Sequence, residues 1–289
     1  MNSVPPVGKE KLSLAILMPG YNVASTIEQA LCSLSQQTLD AVAEIVFINN
    51  ASKDATLAKV RAIQEENKSV GTKLTVINNY HNYGLGGSLK IGIWHILNCG
   101  HDALMILHSD GQGDNESIAD SFLQRARQEQ AWDLILANRF VQGADLRGYD
   151  RKRILGNLFF NILTHVLVGV RMSDAGTGII LVKTHLLRQI AFANLTSELQ
   201  FNPMLNILMY KTPGIRIAEM PLHWHDSEIE SAVVPWHYVL NLTKILLLYR
   251  MRRILGLPGF SDAPHKTDWI QDYPHELLLP VHKTAHSPL

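Results

Sequence analysis

Four times before residue 113 a short apolar run stops abruptly in a polar loop, and this rhythm limits the chain to few folds. The runs are Leu12–Met18, Glu44–Ile48, Leu74–Ile77 and Ala103–Leu107, each short enough for a strand buried on both faces. They end in Pro19–Gly20–Tyr21–Asn22, Asn49–Asn50–Ala51–Ser52, Asn82–Tyr83–Gly84 and Ser109–Asp110–Gly111–Gln112. Helical spacing fills the gaps at Ala24–Gln37, with Ser25 or Thr26 as cap, and at Asp54–Glu66 and Ser88–Asn98. Glu116–Gln130 and Trp132–Ala137 continue the pattern as helix and strand. Strand and helix in alternation predict an α/β domain with a Rossmann-like, mostly parallel sheet and helices on both faces. The four loops then gather at the carboxyl edge of that sheet, where such folds bind ligands.

After residue 140 the rhythm loosens. Helices are predicted at Arg151–Val168, Thr184–Ala193 and Ser197–Tyr210, and short strands at Gly178–Val182 and Ile215–Met220. The reading divides the chain into a domain over 1–230, an amphipathic helical segment over 231–257, and an irregular tail over 258–289 that is rich in Pro, His and Asp. Of 289 residues, 46% are hydrophobic, which supports a sizeable core. Twenty-six basic residues balance 26 acidic ones, so no global positive field argues for nucleic acid. Cys32 and Cys99 share no metal-ligand spacing and read as reduced, partly buried thiols. Met1–Glu10 holds no apolar signal region, so a cytoplasmic protein is expected.

Two apolar stretches bear on membranes. Ile154–Val170 lacks charge but falls short of the ~20 residues a span needs, and Asn157, Asn161 and His165 form a polar stripe along it. Trp236–Leu257 is interrupted by Lys244, Arg250, Arg252 and Arg253. Neither reads as a spanning helix; core helices and helices lying on a membrane surface both remain open.

The ordered set of loops resembles an inverting nucleotide-sugar glycosyltransferase of the A-type fold, in the large family 2. Within it the chain is similar to the dolichol-phosphate mannosyltransferase and polyprenyl-phosphate glycosyltransferase branch. The residues carrying this are Met18–Asn22 for a P-x-Y-N/E loop and Asn49–Thr56 for D-D/N-G/A-S-x-D-x-T. Asn82–Gly92 matches N-x-G-x-G-x-A-x-x-x-G, and Ser109–Gln112 the second half of D-x-D-G-Q. Asn138–Phe140 matches G-S-R-F, Asp174–Gly178 matches D-x-x-T/S-G-F, and Glu219–Leu222 matches E-V-P-I. Together they span roughly residues 12–230.

The resemblance implies transfer of a sugar from a nucleoside diphosphate-sugar to an acceptor, a polyprenyl phosphate foremost, in cell-envelope polysaccharide synthesis. It implies donor contacts from Pro19, Tyr21, Asn22, Asn49, Asn50, Gly84, Ser109, Asp110 and Arg139. A divalent cation, Mg²⁺ or Mn²⁺, would be held by Asp110 with Gln112 and His108, because hard oxygen ligands suit these ions. Asp174 would orient the acceptor or act as base, with Arg153, Asn157 and Asn161 beside it. The enzyme would sit peripherally on the inner face of the membrane; a homo-oligomer is compatible with the sequence.

Simpler readings stand beside these. Asp110 before a glycine also fits an Asx-turn, the Gly84 loop also fits a packing role below the nucleotide, and Arg139 also fits a surface position. The chain departs from the family pattern at His108, where an acid is usual, and at Asn49–Asn50, where at least one Asp is usual. It departs again after the E-V-P strand, where His225 and Ser227 stand without the usual Arg. His223 and His225 alone make a weak metal site. The alternative function these departures suggest is a catalytically weakened donor-binding or scaffold protein.

Overall fold

The computed structural model describes residues 12–146, 149–223, 235–262 and 264–280. The first half of the chain runs β1 (Leu14–Gly20), α1 (Ile27–Cys32), α2 (Gln36–Ala41), β2 (Val42–Asn49), α3 (Thr56–Glu66), α4 (Lys68–Gly71), β3 (Leu74–Asn79), α5 (Gly84–Asn98) and β4 (Ala103–Ile106). There follow α6 (Asn115–Gln128), β5 (Leu134–Asn138), α7 (Arg151–Val168), β6 (Ile180–Lys183), α8 (Thr184–Gln189), α9 (Phe201–Lys211), β7 (Ile217–Pro221), α10 (Pro235–Ile254) and β8 (His275–Leu278).

The strands form one sheet in the order β7-β5-β6-β4-β1-β2-β3-β8. β3, β2, β1 and β4 are parallel neighbours, β6 runs against β4 and β5, and β8 runs against β3. Along β1, Leu14, Ile16 and Met18 enter the core on one face while Ala15 and Leu17 enter the core on the other. This period of two, apolar at every position, is what a strand covered by helices on both sides requires. α1, α3 and α6 cover the first face; α5 and α9 cover the second. α5 comes so close that a Cβ on Gly92 would lie 2.2 Å from Leu17 Cδ1. α7 and α10 pack together through Phe160, Leu242, Leu246 and Tyr249, forming a third, smaller core.

The structure departs from the sequence reading in several places. The predicted helix over Ala24–Gln37 is two short helices, because Ser35 caps α2 by accepting from the Thr38 amide at 3.0 Å. Thr26 precedes α1 without a capping bond, its hydroxyl donating to the Ser109 carbonyl instead. The helix expected to reach Ala193 ends at Gln189, and the one expected from Ser197 begins at Phe201. Both cysteines are exposed, not partly buried.

The stretch after Pro258, expected to be irregular, supplies β8 and packs Trp269 and Tyr273 onto the core. It is tied down where the local pattern gives no hint. The Tyr83 hydroxyl donates to the Pro274 carbonyl at 2.8 Å, and Gln64 donates to the Leu278 carbonyl at 3.0 Å. Buried Lys90 donates to the Leu195 carbonyl at 2.5 Å and reaches the Tyr273 hydroxyl at 3.3 Å.

The outer pairing of β5 with β7 begins at an ion pair. Asp133 accepts from the Arg216 amide, Nε and Nη2 at 3.0, 2.8 and 2.7 Å. Those hydrogen bonds, working against burial, hold its pKa at about 2. The folded value lies below the unfolded one of about 3.9, so the stabilisation is present above about pH 4 and is lost as pH falls toward 2. Asp133→Asn is expected to cost about 1 kcal/mol at neutral pH, the Arg216 side chain being half in water. Urea unfolding at about pH 7 and about pH 2.5 checks this: the variant's deficit should shrink at the lower pH, and an unchanged deficit contradicts it.

Candidate functional site

Strand order reverses between β1 and β4, since the chain builds β1, β2 and β3 outward and then crosses back through α5. The loops leaving β1 and β4 therefore diverge and open a crevice at the carboxyl edge. Ser109, buried, donates from its hydroxyl to the Pro19 carbonyl at 2.6 Å, and Thr26 Oγ1 donates to the Ser109 carbonyl at 2.8 Å. These bonds fix the β4 loop against the β1 loop. Asn115 donates to the His108 carbonyl at 2.9 Å and to the Ala30 carbonyl at 3.1 Å, holding the far end.

On this frame Asp110 stands with its side chain 37% exposed. Its Oδ1 accepts from the Gln112 amide at 3.1 Å, so the Asx-turn is real. His108 Nδ1 lies 3.9 Å from the same oxygen. One turn thus carries a carboxylate and an imidazole 3.9 Å apart, with Gln112 two residues further on. These are hard and borderline donors that fit Mn²⁺, the imidazole being a poor match for Mg²⁺. The expected ligand set of His108, Asp110 and Gln112 is therefore chemically suited to the ion.

The β2 and β3 loops are knitted by amides. Asn50 donates to Asn82 Oδ1 at 2.9 Å and to the Gly84 carbonyl at 3.3 Å. Its oxygen accepts from Asn79 Nδ2 at 3.1 Å and from the Tyr83 amide at 2.9 Å. That uses the full capacity of one carboxamide. An Asp could make neither donation, which accounts for Asn at this place. Asn49, buried, donates to Asn78 Oδ1 at 2.7 Å, and its oxygen lies 3.4 Å from the Ser52 amide. Asn22 accepts from the Lys53 amide at 2.8 Å, and its own amide donates to Ser52 Oγ at 3.0 Å, linking the β1 and β2 loops. Asn22 and Ala51 hold φ of 54° and 56°, strained backbone concentrated in these two loops.

Gly84 is placed for packing. Its amide donates to Asn82 Oδ1 at 2.9 Å, its φ is 71°, and a Cβ would lie 2.4 Å from the Ser197 carbonyl. The Gly87 amide likewise donates to the Ser197 carbonyl at 3.1 Å. These amides are occupied within the protein, as the packing reading of the loop expects. Tyr21, 39% exposed, lies at the opening beside Pro19.

The other side of the site is built on a buried ion pair. Arg139, just past β5, gives Nη2 to Asp174 Oδ1 at 2.6 Å and Nε to Asp174 Oδ2 at 2.8 Å, and its amide joins at 3.1 Å. The side chains are 10% and 1% exposed. Burial opposes the Arg139 charge, yet the field and hydrogen bonds of Asp174 outweigh it and push the guanidinium pKa up. Arg139 is thus neither a surface residue nor an open diphosphate ligand, and Asp174 carries an arginine on its carboxylate.

α7 supports this pair. Asn161 accepts from the Ala175 amide at 2.9 Å and donates to the Ser173 carbonyl, gripping the Asp174 turn on both sides. Asn157 donates to the Tyr149 hydroxyl at 3.0 Å, which in turn accepts from Arg139 Nη1 at 3.0 Å. Gly176 is where these approach: its Cβ would meet Asn157 Oδ1 at 3.3 Å and Arg139 Nη2 at 3.4 Å. Tyr238 from α10 is pushed up to about 12 by burial, with Arg139 opposing and Asp174 adding to the shift. Arg153, one turn earlier on α7, is half-buried.

Tyr149, Tyr238 and Ser173 escaped the sequence reading, having no periodic or motif signal. Glu219, quoted only as part of a strand motif, accepts from Ser173 Oγ at 2.6 Å. His225 and Ser227 lie outside the described residues, and His223 is exposed.

The family model for Glycosyl transferase family 2 matches residues 15–189. The chain belongs to that family. A dolichyl-phosphate beta-glucosyltransferase from Dictyostelium discoideum is 23% identical over 86% of this chain and 77% of its own length. An uncharacterised glycosyltransferase from Haemophilus influenzae is 30% identical over 80 residues, covering 28% of this chain and 23% of that relative.

Among solved structures, glucosyl-3-phosphoglycerate synthase from Mycobacterium tuberculosis, in complex with Mn²⁺, UDP and phosphoglyceric acid, aligns with a TM-score of 0.56. That alignment has 14% identity and covers 94% of this chain and 91% of the other. A mannosyltransferase from Pyrobaculum calidifontis, in complex with GDP-Man and Mn²⁺, gives a TM-score of 0.55 at 14% identity, over 91% and 68% of the two chains. These likenesses establish that the family 2 chain has the A-type glycosyltransferase fold expected from its sequence.

Within this family 2 chain the two acids should differ in what their removal costs. Asp174→Ala strands a buried guanidinium and is expected to cost roughly 3–5 kcal/mol. Asp110→Ala removes one turn bond at an open loop and should cost about 1 kcal/mol or less. Urea unfolding of the two variants measures both; similar costs would contradict the assignment.

Proposed function

We propose that this chain moves a sugar, with inversion, from a nucleoside diphosphate-sugar to the phosphate of a polyprenyl lipid. The observation that carries the reading is the pairing of Asp174 with Arg139. Both oxygens of Asp174 are taken by three N–H donors, two of them from a buried guanidinium, so the side chain is committed to Arg139 and is not open to an acceptor hydroxyl. A hydroxyl acceptor needs a base to take its proton. A phosphate acceptor is already ionised at neutral pH, its second pKa lying near 6, and needs none. Its oxygen forms the new bond to the anomeric carbon as the bond to the diphosphate breaks, and the nucleoside diphosphate leaves with that electron pair.

Each part of the site then has a task. Pro19, Tyr21 and Asn22 border the donor crevice, while Asn49 and Asn50 hold its floor in shape. Asp110, with His108 and Gln112, would hold Mn²⁺, which supplies charge neutralisation on the departing diphosphate. Arg139, Asn157 and Asn161 fix the Asp174 turn beside the acceptor, and Arg153 is the candidate contact to its phosphate.

A lipid acceptor also suits the surface of α7 and α10. Leu155, Phe159, Ile162 and Val166 are exposed along one face of α7, and Leu247, Leu248, Met251 and Ile254 along one face of α10. Exposed Arg151 and Lys152 flank the first set, and Arg250, Arg252 and Arg253 lie among the second. Apolar faces with basic neighbours suit peripheral binding to an anionic bilayer. No helix among the described residues is long and apolar enough to cross one. The name of the Dictyostelium relative points to the same acceptor class.

His108, standing where an acid is usual, favours a second reading: a donor-binding protein with weak or absent turnover. Transfer of labelled sugar from UDP-glucose or GDP-mannose to polyprenyl phosphate in anionic vesicles with Mn²⁺ separates the two. Product should form, and Asp110→Ala should lower kcat/KM by about 100-fold or more, the several kcal/mol of metal stabilisation being lost. Tight donor binding with no transfer under Mn²⁺ or Mg²⁺ would sink the enzyme reading.

A further inference from the structure

At the opposite end of the sheet from the donor crevice, four metal-ligating side chains of three kinds converge. Glu44 lies near the start of β2, His95 in the last turn of α5, Cys99 just beyond it, and His101 on the way into β4. Glu44 Oε2 lies 2.9 Å from His101 Nε2, and Glu44 Oε1 lies 3.4 Å from His95 Nε2. Cys99 Sγ lies 3.5 Å from His95 Nε2. The ligand atoms of Glu44, Cys99 and His101 all fall within 4.8 Å of one another. We propose that Glu44, His95, Cys99 and His101 form a closed, four-coordinate Zn²⁺ site.

The donor set is one carboxylate, two imidazoles and one thiol, the ligand kinds of structural zinc sites. Bonds of about 2.0–2.3 Å to zinc in a tetrahedron place neighbouring ligand atoms about 3.3–3.7 Å apart. The two contacts of His95, at 3.4 and 3.5 Å, fall within that spacing, and the Glu44–His101 contact of 2.9 Å is shorter, so side-chain shifts that open it complete the shell. The supporting bonds are in place. His101 Nδ1 pairs with Ser13 Oγ at 2.9 Å, which directs Nε2 to the ligand side. Thr75 Oγ1 donates to Glu44 Oε1 at 2.5 Å, and Thr184 Oγ1 donates to the His101 carbonyl at 2.7 Å. Glu44 and the two imidazoles are nearly buried, and exposed Cys99 gives the ion a way in. Binding releases the thiol proton and any imidazolium proton to solvent.

The sequence reading found no metal-ligand spacing for either cysteine; His95-x₃-Cys99-x-His101 was the signal, and Glu44 comes from far away in the chain. Glu44 and Asn49 are separated along β2 by roughly 16 Å. The ion would therefore clamp the starts of β2 and β4 to the end of α5 and take no part in transfer.

The test uses the full chain stripped of metal and titrated with Co²⁺ as a spectroscopic stand-in for Zn²⁺. One equivalent should bind with tetrahedral visible absorption and a thiolate-to-cobalt charge-transfer band that Zn²⁺ bleaches. Cys99→Ser should abolish the band, and His101→Gln should weaken Zn²⁺ binding by about 100-fold or more. The band should persist in Asp110→Asn, since the donor-loop cation position has no thiol. Alkylation of the wild-type chain gives a readout free of folding defects: Zn²⁺ should slow modification of Cys99 and leave Cys32, also exposed, unaffected. Co²⁺ binding without a sulfur band, or equal alkylation of Cys99 with and without Zn²⁺, would overturn the proposal.

Discussion

The buried pair of Arg139 and Asp174 is the interaction on which the rest of the site depends. A lone guanidinium or carboxylate at that depth would cost several kcal/mol, so neither residue is tolerable without the other. Meeting that condition fixes much else. The end of β5 must face the turn before β6, α7 must present Asn157 and Asn161 to that turn, and Tyr149 must fill the remaining guanidinium position. The same pairing limits the chemistry. It commits the Asp174 side chain to Arg139, which under the proposed reading leaves no free carboxylate beside the acceptor.

The donor side follows a different logic. The topology opens a crevice between β1 and β4 whatever the side chains are. What the side chains decide is its rigidity. A run of carboxamides, Asn49 to Asn78 and Asn50 to Asn79 and Asn82, ties the loops together at the sheet edge. Carboxamides both donate and accept, and carboxylates do not. The Asn pair that departs from the family pattern is thus explained by what it holds, whereas His108 is a change within the proposed ligand set.

Much of this was legible in the chain. Parallel strands buried on both faces leave continuous apolar runs, and their loops announce the ligand edge, so β1 to β4 and the crevice could be placed from residues alone. α7 was placed to the residue. The sequence was silent where a partner lies far away. Asp174 is legible from the sequence as a group that orients the acceptor or acts as base, but its pairing with Arg139, 35 positions earlier, gives no local sign. Asn50 is legible as a donor-loop residue, but its protein partners, which follow about thirty residues later, are not. β8 went unseen because His275–Leu278 has little strand character of its own; the open edge of β3 and the aromatic contacts of Tyr83 and Tyr273 make it a strand.

The most direct test of the account compares two acceptors that differ in one group: a polyprenyl phosphate and the corresponding free polyprenol, in the same anionic vesicles with the same donor and Mn²⁺. With Asp174 neutralised by Arg139, the account predicts transfer to the phosphate and none to the alcohol. Transfer to the alcohol at a comparable rate would show that the site holds a working base, and would contradict the account.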